Sequence, residues 1–254
     1  MILERERRGK IEILTLNRPE SRNAMTPELS ELMADVWDEL STDDGVWAVI
    51  LTGAGTVFCA GADLKVVAAG DSGGIASKRG GFGGIVERDF AKPLIAACNG
   101  PALAGGFEMV LACDIVVAST TATFGIPEAK RGLLAAAGGP IRLAKRIPLA
   151  IALEMGLTGD PVDAARAYEL GLVNRVAEPA AVLDTAIALA ERIVENAPVS
   201  VRITKRLTKE SQQMTEAEGW ALTNELAGSL FESGDAMEGA MAFLEKRPPV
   251  WKGR

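Results

Sequence analysis

Two glutamates sit just past glycine-rich breaks in a chain that contains no histidine. Glu108 closes the run Ala104-Gly105-Gly106-Phe107-Glu108, and Glu128 closes Phe124-Gly125-Ile126-Pro127-Glu128. A third break, Cys59-Ala60-Gly61-Ala62-Asp63-Leu64-Lys65, follows an earlier apolar run. Histidine is the commonest general base near neutral pH and the commonest metal ligand. Without it, acid–base chemistry falls to carboxylates, Lys, Tyr or Cys. The pattern points to backbone N–H groups aimed at an oxyanion, with two carboxyl groups beside it to move protons.

The physical basis is the helix start, which leaves N–H groups unpaired and carries about half a positive charge. Gly105 and Gly106 let a ligand approach that backbone closely, because no Cβ intervenes. A helix opened by Gly105 carries Glu108 on its first turn, beside the same ligand. The Ala62 N–H offers a second donor to one oxygen. Two such donors, each contributing roughly 2.7–4 kcal/mol at a transition state, suit enolate or tetrahedral thioester chemistry. Glu128 comes 20 residues after Glu108, with a strand between them, a length that can return both carboxyls to one cleft. Carboxyls in unlike environments hold one proton between them. Taken singly, each motif also reads as plain structure: a strand-to-helix turn with a dipole-complementing Glu108, a helix cap at Asp63, and a cap at Glu128.

Other patterns exclude more than they assign. Gly53-Ala54-Gly55-Thr56-Val57-Phe58 lacks the third glycine of a dinucleotide fingerprint, and no phosphate-binding Gly-Lys-Ser/Thr occurs. No Cys, Asp or Glu cluster has metal-ligand spacing. Cys59, Cys98 and Cys113 are odd in number and lie in apolar contexts, which reads as reduced, buried thiols of a cytoplasmic protein. A net charge of −7 argues against a general nucleic-acid or anionic-membrane binder, although a local basic patch can still hold an anionic ligand. Glu4 to Arg8 are all charged, where a signal peptide needs apolar residues, and no run of 18 apolar residues predicts a membrane span.

The elements that must position these groups alternate. Residues 11–16, 47–52, 93–98 and 114–118 read as strands, the middle two nearly all apolar and so buried on both faces. Pro27 to Leu40 has helical spacing, with Thr26 as N-cap, and a short helix is predicted from Gly105 to Ala112. The Gly- and Ser-rich stretch 69–84 reads as a mobile loop, a lid or a plain connector. Asp160-Pro161 predicts a helix start with Pro at the first helical position. Helices are also expected over 180–196, after the capping box Thr215-Glu216-Ala217-Glu218, and over 236–246. The fold class is therefore α/β with parallel pairing, and a composition shift near residue 195 divides a core (1–195) from a helical tail (196–254).

Together these pieces resemble the crotonase (enoyl-CoA hydratase/isomerase) superfamily. The resemblance runs from Leu16-Asn17-Arg18-Pro19 and Arg22-Asn23-Ala24-Met25, through the three glycine-rich motifs and Pro93-Leu94-Ile95-Ala96-Ala97-Cys98-Asn99-Gly100. It continues in Leu157-Thr158-Gly159-Asp160 and ends in Ala242-Phe243-Leu244-Glu245-Lys246-Arg247. It implies a spiral of ββα units, a C-terminal helical trimerisation region, and a homotrimer or hexamer. It implies an acyl-CoA thioester as substrate and no cofactor besides. Ala62 and Gly105 fall on the oxyanion positions, and Glu108 and Glu128 on the two carboxylates of the hydratases. Arg22, Ala24, Ala60, Asp63, Leu64 and Lys65 fall on positions that bind substrate or CoA, as do Phe243 and Lys246 of a neighbouring subunit. The implied reaction is syn hydration of a trans-2-enoyl-CoA to a 3-hydroxyacyl-CoA in fatty-acid-type β-oxidation. A Δ3-Δ2 isomerase, a specialised hydroxyacyl-CoA dehydratase and a non-catalytic acyl-CoA-binding subunit are the alternatives; a serine peptidase would need a histidine. One departure stands out. Ala136 occupies the position of a glycine that helps place water in well-known hydratases.

Overall fold

Alternation with a period of two decides how the strands are covered. The computed structural model, which describes residues 1–70 and 74–253, opens with the hairpin β1 (Leu3–Arg8) and β2 (Ile11–Leu16). Helix α1 (Pro27–Thr42) and strand β3 (Ala48–Gly53) follow. After α2 (Leu64–Ala68) comes a short ribbon, β4 (Ala76–Ser77) and β5 (Gly81–Phe82). Two similar units then succeed each other. The first is β6 (Leu94–Cys98), β7 (Ala102–Leu103) and α3 (Gly105–Ala112). The second is β8 (Ile115–Ser119), β9 (Thr123–Gly125), a 3-10 turn at Pro127–Arg131, and α4 (Gly139–Arg146). In each unit one strand enters a large sheet, the next enters a small one, and a helix follows. The remaining elements are α5 (Leu149–Thr158), β10 (Val162–Asp163), α6 (Ala164–Glu169), β11 (Arg175–Ala177), α7 (Val182–Val194), α8 (Pro198–Glu210), α9 (Glu216–Phe231) and α10 (Gly234–Glu245).

The large sheet has the order β1-β2-β3-β6-β8-β11, with every pair after the first hairpin parallel. Its fully buried centre, β3 and β6, matches the two most apolar predicted strands. Ile11, Ile13, Ala48, Ile50, Ile95, Ala97 and Val117 face α7. The residues between them, including Leu14, Leu16, Val49, Leu51, Ala96 and Val116, face the main core with α1 and α3. The small sheet, β10-β9-β7, stands beyond that core.

Charge makes β1 an edge strand. Residues 4–8 are exposed, and Arg5 and Arg7 reach back to the buried Glu12, donating from Nε at 2.8 and 2.7 Å. The predicted start at Asp160-Pro161 is corrected. Val162 and Asp163 pair with Phe124 and Thr123, so the ladder claims those residues, and Asp163 caps α6 through the Arg166 N–H at 2.8 Å. Helices α4, α5 and α8 had no clear signal. Within the 69–84 stretch, Asp71 to Gly73 lie outside the described residues, and the remainder carries the β4–β5 ribbon with Phe82 buried. The capping box opens α9, with both of its hydrogen bonds formed. The shift near residue 195 falls between α7 and α8. Lys205 fastens α8 to the core through Asp114 and the Lys92 carbonyl, each at 2.7 Å.

Trp37 on α1 is fully buried, stacks edge-on against Phe90, and donates from Nε1 to the Gly83 carbonyl at 3.0 Å. It thereby ties α1 to the turns after β5. Trp37→Phe keeps most of the packing and strands the Gly83 carbonyl. The expected loss is about 1–3 kcal/mol of unfolding free energy, read by urea denaturation.

Candidate active site

Three chain crossings meet at the head of α3. The β3–α2 connection passes Cys59 to Ala62, and its Gly61 (φ +95) faces the turn before α3. A Cβ on Gly61 would stand 2.7 Å from the Ala104 Cβ and 3.2 Å from the Gly105 nitrogen, so only glycine permits the contact. On the other side, a Cβ on Gly106 would stand 2.2 Å from the Cys59 carbonyl oxygen. Ala104 itself holds a positive φ of 52, a strained value for a residue with a side chain. The Ala104 N–H donates to the Gly125 carbonyl at 2.9 Å and the Leu103 N–H to the Cys59 carbonyl at 3.0 Å. Among the described residues, the Ala62 and Gly105 N–H groups donate to no protein acceptor.

A neighbouring hub supports the crossing. Asn23 is fully buried with positive φ; its Nδ2 donates to the Ala54 and Val57 carbonyls at 3.0 and 2.7 Å, and its Oδ1 accepts from the Arg18 N–H at 2.9 Å. The Met25 N–H then donates to the Gly61 carbonyl at 2.8 Å and the Asp63 N–H to the Met25 carbonyl at 2.9 Å.

These turns border a cleft of about 520 Å³. Of the predicted site residues, Arg22, Ala60, Ala62, Leu64, Gly105, Glu108 and Glu128 line it. Ala24, Asp63 and Lys65 do not: Ala24 is buried, and Asp63 caps α2 through the Lys65 N–H at 3.1 Å while pairing with Arg18 at 3.2 Å. Phe243 and Lys246 stand at the end of α10, away from this chain's own cleft, with Phe243 exposed. Ala136 lines the cleft as well. Its apolar walls are Val67, Ile75, Phe82, Leu133 and Leu134; Ile75 and Phe82 come from the stretch 69–84 read as a loop, and the other three had no reading in the sequence.

Glu108 is 2% exposed, and its Oε1 accepts from the Gly139 N–H at 2.8 Å. Burial pushes its pKa up to about 7, with the charge of Glu128 adding to the rise; the backbone N–H groups of Gly139 and Ala137 and the Arg142 guanidinium oppose it. Burial also raises Glu128, against its own backbone N–H and the nearby Arg131. The Glu128 Oε2 is buried and bonds to no protein group among the described residues. Phe107 packs on Phe124 with ring centres 5.6 Å apart, which locks α3 to the strand that leads to Glu128. The thiols of Cys59, Cys98 and Cys113 are buried and raised by that burial, so none is a poised nucleophile.

The Glu108 shift carries a stability consequence. A carboxyl raised from 4.5 to about 7 binds its proton more tightly in the native state. Its favourable contribution is present below the ordinary carboxyl range and is lost as pH rises through about 7. The full span is about 3 kcal/mol. Glu108→Gln, which keeps an acceptor for Gly139, should therefore melt at a higher temperature than the parent at alkaline pH. The two should converge at acidic pH in a calorimetric series. Gly106→Ala should destabilise at every pH, because the added methyl meets the Cys59 carbonyl.

The family model for enoyl-CoA hydratase/isomerase matches residues 6–254. Enoyl-CoA hydratase EchA19 of Mycobacterium tuberculosis is 40% identical over 258 residues, covering 98% of this chain and 96% of its own. The carnitinyl-CoA dehydratase of Citrobacter koseri is 41% identical over 254 residues, covering 98% and 97%. The crystal structure of enoyl-CoA hydratase EchA1 from Mycobacterium marinum superposes with a TM-score of 0.95 at 49% identity, over 100% of this chain and 99% of that one. With the strand–strand–helix units and the full-length match agreeing, this chain belongs to the enoyl-CoA hydratase/isomerase family and has the crotonase fold.

Proposed function

We propose that this protein is an enoyl-CoA hydratase, adding water syn across the double bond of a trans-2-enoyl-CoA to give the 3-hydroxyacyl-CoA. The observation that carries the reading is the pair of buried carboxyls in one apolar cleft, Glu108 fastened to Gly139 and Glu128 with one oxygen unpaired among the described residues. In this reading the thioester oxygen sits between the Ala62 and Gly105 N–H groups, where α3 adds its positive end. Glu108 takes a proton from water as the water oxygen bonds to C3. The π electrons move to C2, and Glu128 delivers its proton there. One proton on the pair suffices in either direction, so the same geometry serves dehydration. The dehydratase names among the relatives support keeping that direction as the second reading.

For CoA, Arg22, Ala60 and Leu64 stand at the cleft and Ala24, Asp63 and Lys65 beside its lining. Phe243 and Lys246 serve a neighbouring subunit's cleft in a homotrimer or hexamer. Exposed Trp220, Phe231, Met237, Phe243 and Leu244 on α9 and α10 support such an assembly through residues 196–254. No cofactor takes part in these steps, CoA being part of the substrate, and we assign the activity to the cytoplasm. Among the described residues, no helix is long and apolar enough to cross a membrane.

Glu108→Gln and Glu128→Gln should each lower kcat on crotonyl-CoA by at least ~10²-fold while leaving the affinity for a saturated acyl-CoA nearly unchanged. The decline of the conjugated enoyl thioester absorbance measures this. Parental turnover in both variants would overturn the roles given to the two glutamates, and an absence of turnover in the parent would leave the acyl-CoA-binding reading. The profile of kcat/KM against pH should be bell-shaped, since both fully protonated and fully ionised pairs lack one of the two roles. Its alkaline limb belongs to the loss of the pair's last proton, which burial in the apolar cleft holds above the ordinary carboxyl range.

A further inference from the structure

Behind Glu108 lies a second cleft, of about 620 Å³, on the other side of the 136–139 loop. Glu87, Ala136 and Ala137 line both clefts, so the wall between them is one chain thick at that point. Arg142, on the first turn of α4, faces this second cleft. Its Nη1 donates to the Ala137 carbonyl at 3.1 Å and its Nη2 donates to the Val86 carbonyl. The guanidinium presses against the loop: a Cβ on Gly138 (φ +94) would stand 2.2 Å from Nη1 and 3.2 Å from Cζ. Among the described residues, no carboxylate pairs with it. Burial lowers its pKa, and the leading charge that works against this is Glu108. A half-buried guanidinium without a carboxylate partner is costly, and an arrangement that keeps one needs a reason.

The reason is on the other face of the loop. The carbonyl of Ala137 bonds to Arg142, while the Gly139 N–H two residues on holds Glu108. We propose that Arg142 is a positioning residue for Glu108: it clamps the 137–139 loop from behind, so that the loop amides hold the carboxyl, and it places a positive charge at that carboxyl's rear. The proposal rests on the hydratase reading for its rate measurements. Other charged groups facing Glu108 are Glu128 from the 127–131 turn and, around the cleft, Glu87, Arg131 and Arg22. Arg146, one turn further along α4, is tied to the Cys113 carbonyl at 2.6 Å.

The test compares Arg142→Gln and Arg142→Lys, with Lys145→Gln as a control cation on the same cleft. Arg142→Gln should lower kcat by ~10-fold or more while KM stays within ~3-fold. Loss of the positive charge should also move the alkaline limb of kcat/KM upward by about one pH unit. Arg142→Lys should keep the limb in place and recover only part of kcat, because one ammonium cannot hold both carbonyls as a planar guanidinium does. Lys145→Gln should match the parent. An infrared titration of the Glu108 carboxyl, taken as parent minus Glu108→Gln, reads the same shift without turnover. It therefore decides the proposal even where hydratase activity is absent, an outcome that would count against the reaction and not against Arg142. If Arg142→Gln does not fold, Arg142→Lys decides: a lowered kcat with an unmoved carboxyl supports the proposal. A carboxyl that titrates as in the parent in Arg142→Gln, or a parental kcat in Arg142→Lys, would overturn it.

Discussion

The contact between two backbone turns, residues 60–62 against 104–106, is the constraint on which the rest of the structure depends. The chains approach so closely that Gly61 and Gly106 have no room for a methyl, and Ala104 is driven into positive φ. Backbone held that way needs support from all sides. The buried Asn23 hub supplies it beneath one turn, and the Ala104 bond to Gly125 supplies it beneath the other. The outcome is two N–H groups that, among the described residues, have no protein partner at the open end of a buried helix.

The ββα repeat explains why the carboxyls come from consecutive units. Each unit sends one strand to the large sheet and one to the small sheet before its helix or turn begins. The first unit delivers Glu108 on α3 and the second delivers Glu128 after β9. Their spacing follows from the parallel pairing of β7 with β9 and from the Phe107–Phe124 contact, not from any bond between the carboxyls. The apolar cleft then raises both pKa values by withholding water, which destabilises the native state at the pH where the pair is to carry one proton. The large core of the two sheet faces offsets that cost.

Much of this was legible in the residues. Strands 11–16, 48–53, 94–98 and 115–119 declare themselves through β-branched, apolar runs, and α1 and α9 through their caps. The glycines at 61, 105 and 106 marked the turns, because no other residue suits such close approach. Less was legible where a segment's role depends on distant partners. Val162 and Asp163 look like a helix start until β9 offers them a ladder, and α4 and α5 lack caps with side-chain bonds.

The sequence by itself determined the inventory of chemistry: no histidine, two glutamates past glycine turns, and alternating strands able to bury a parallel sheet. These are local properties, set by side-chain type and by the backbone freedom of glycine. Only the tertiary structure decided that the Ala62 and Gly105 turns touch, that Gly139 holds Glu108, and that Arg142 reaches the Val86 carbonyl from behind the loop. Hydrogen bonds and burial between residues 30 or more positions apart are set by chain packing, and no local pattern encodes them.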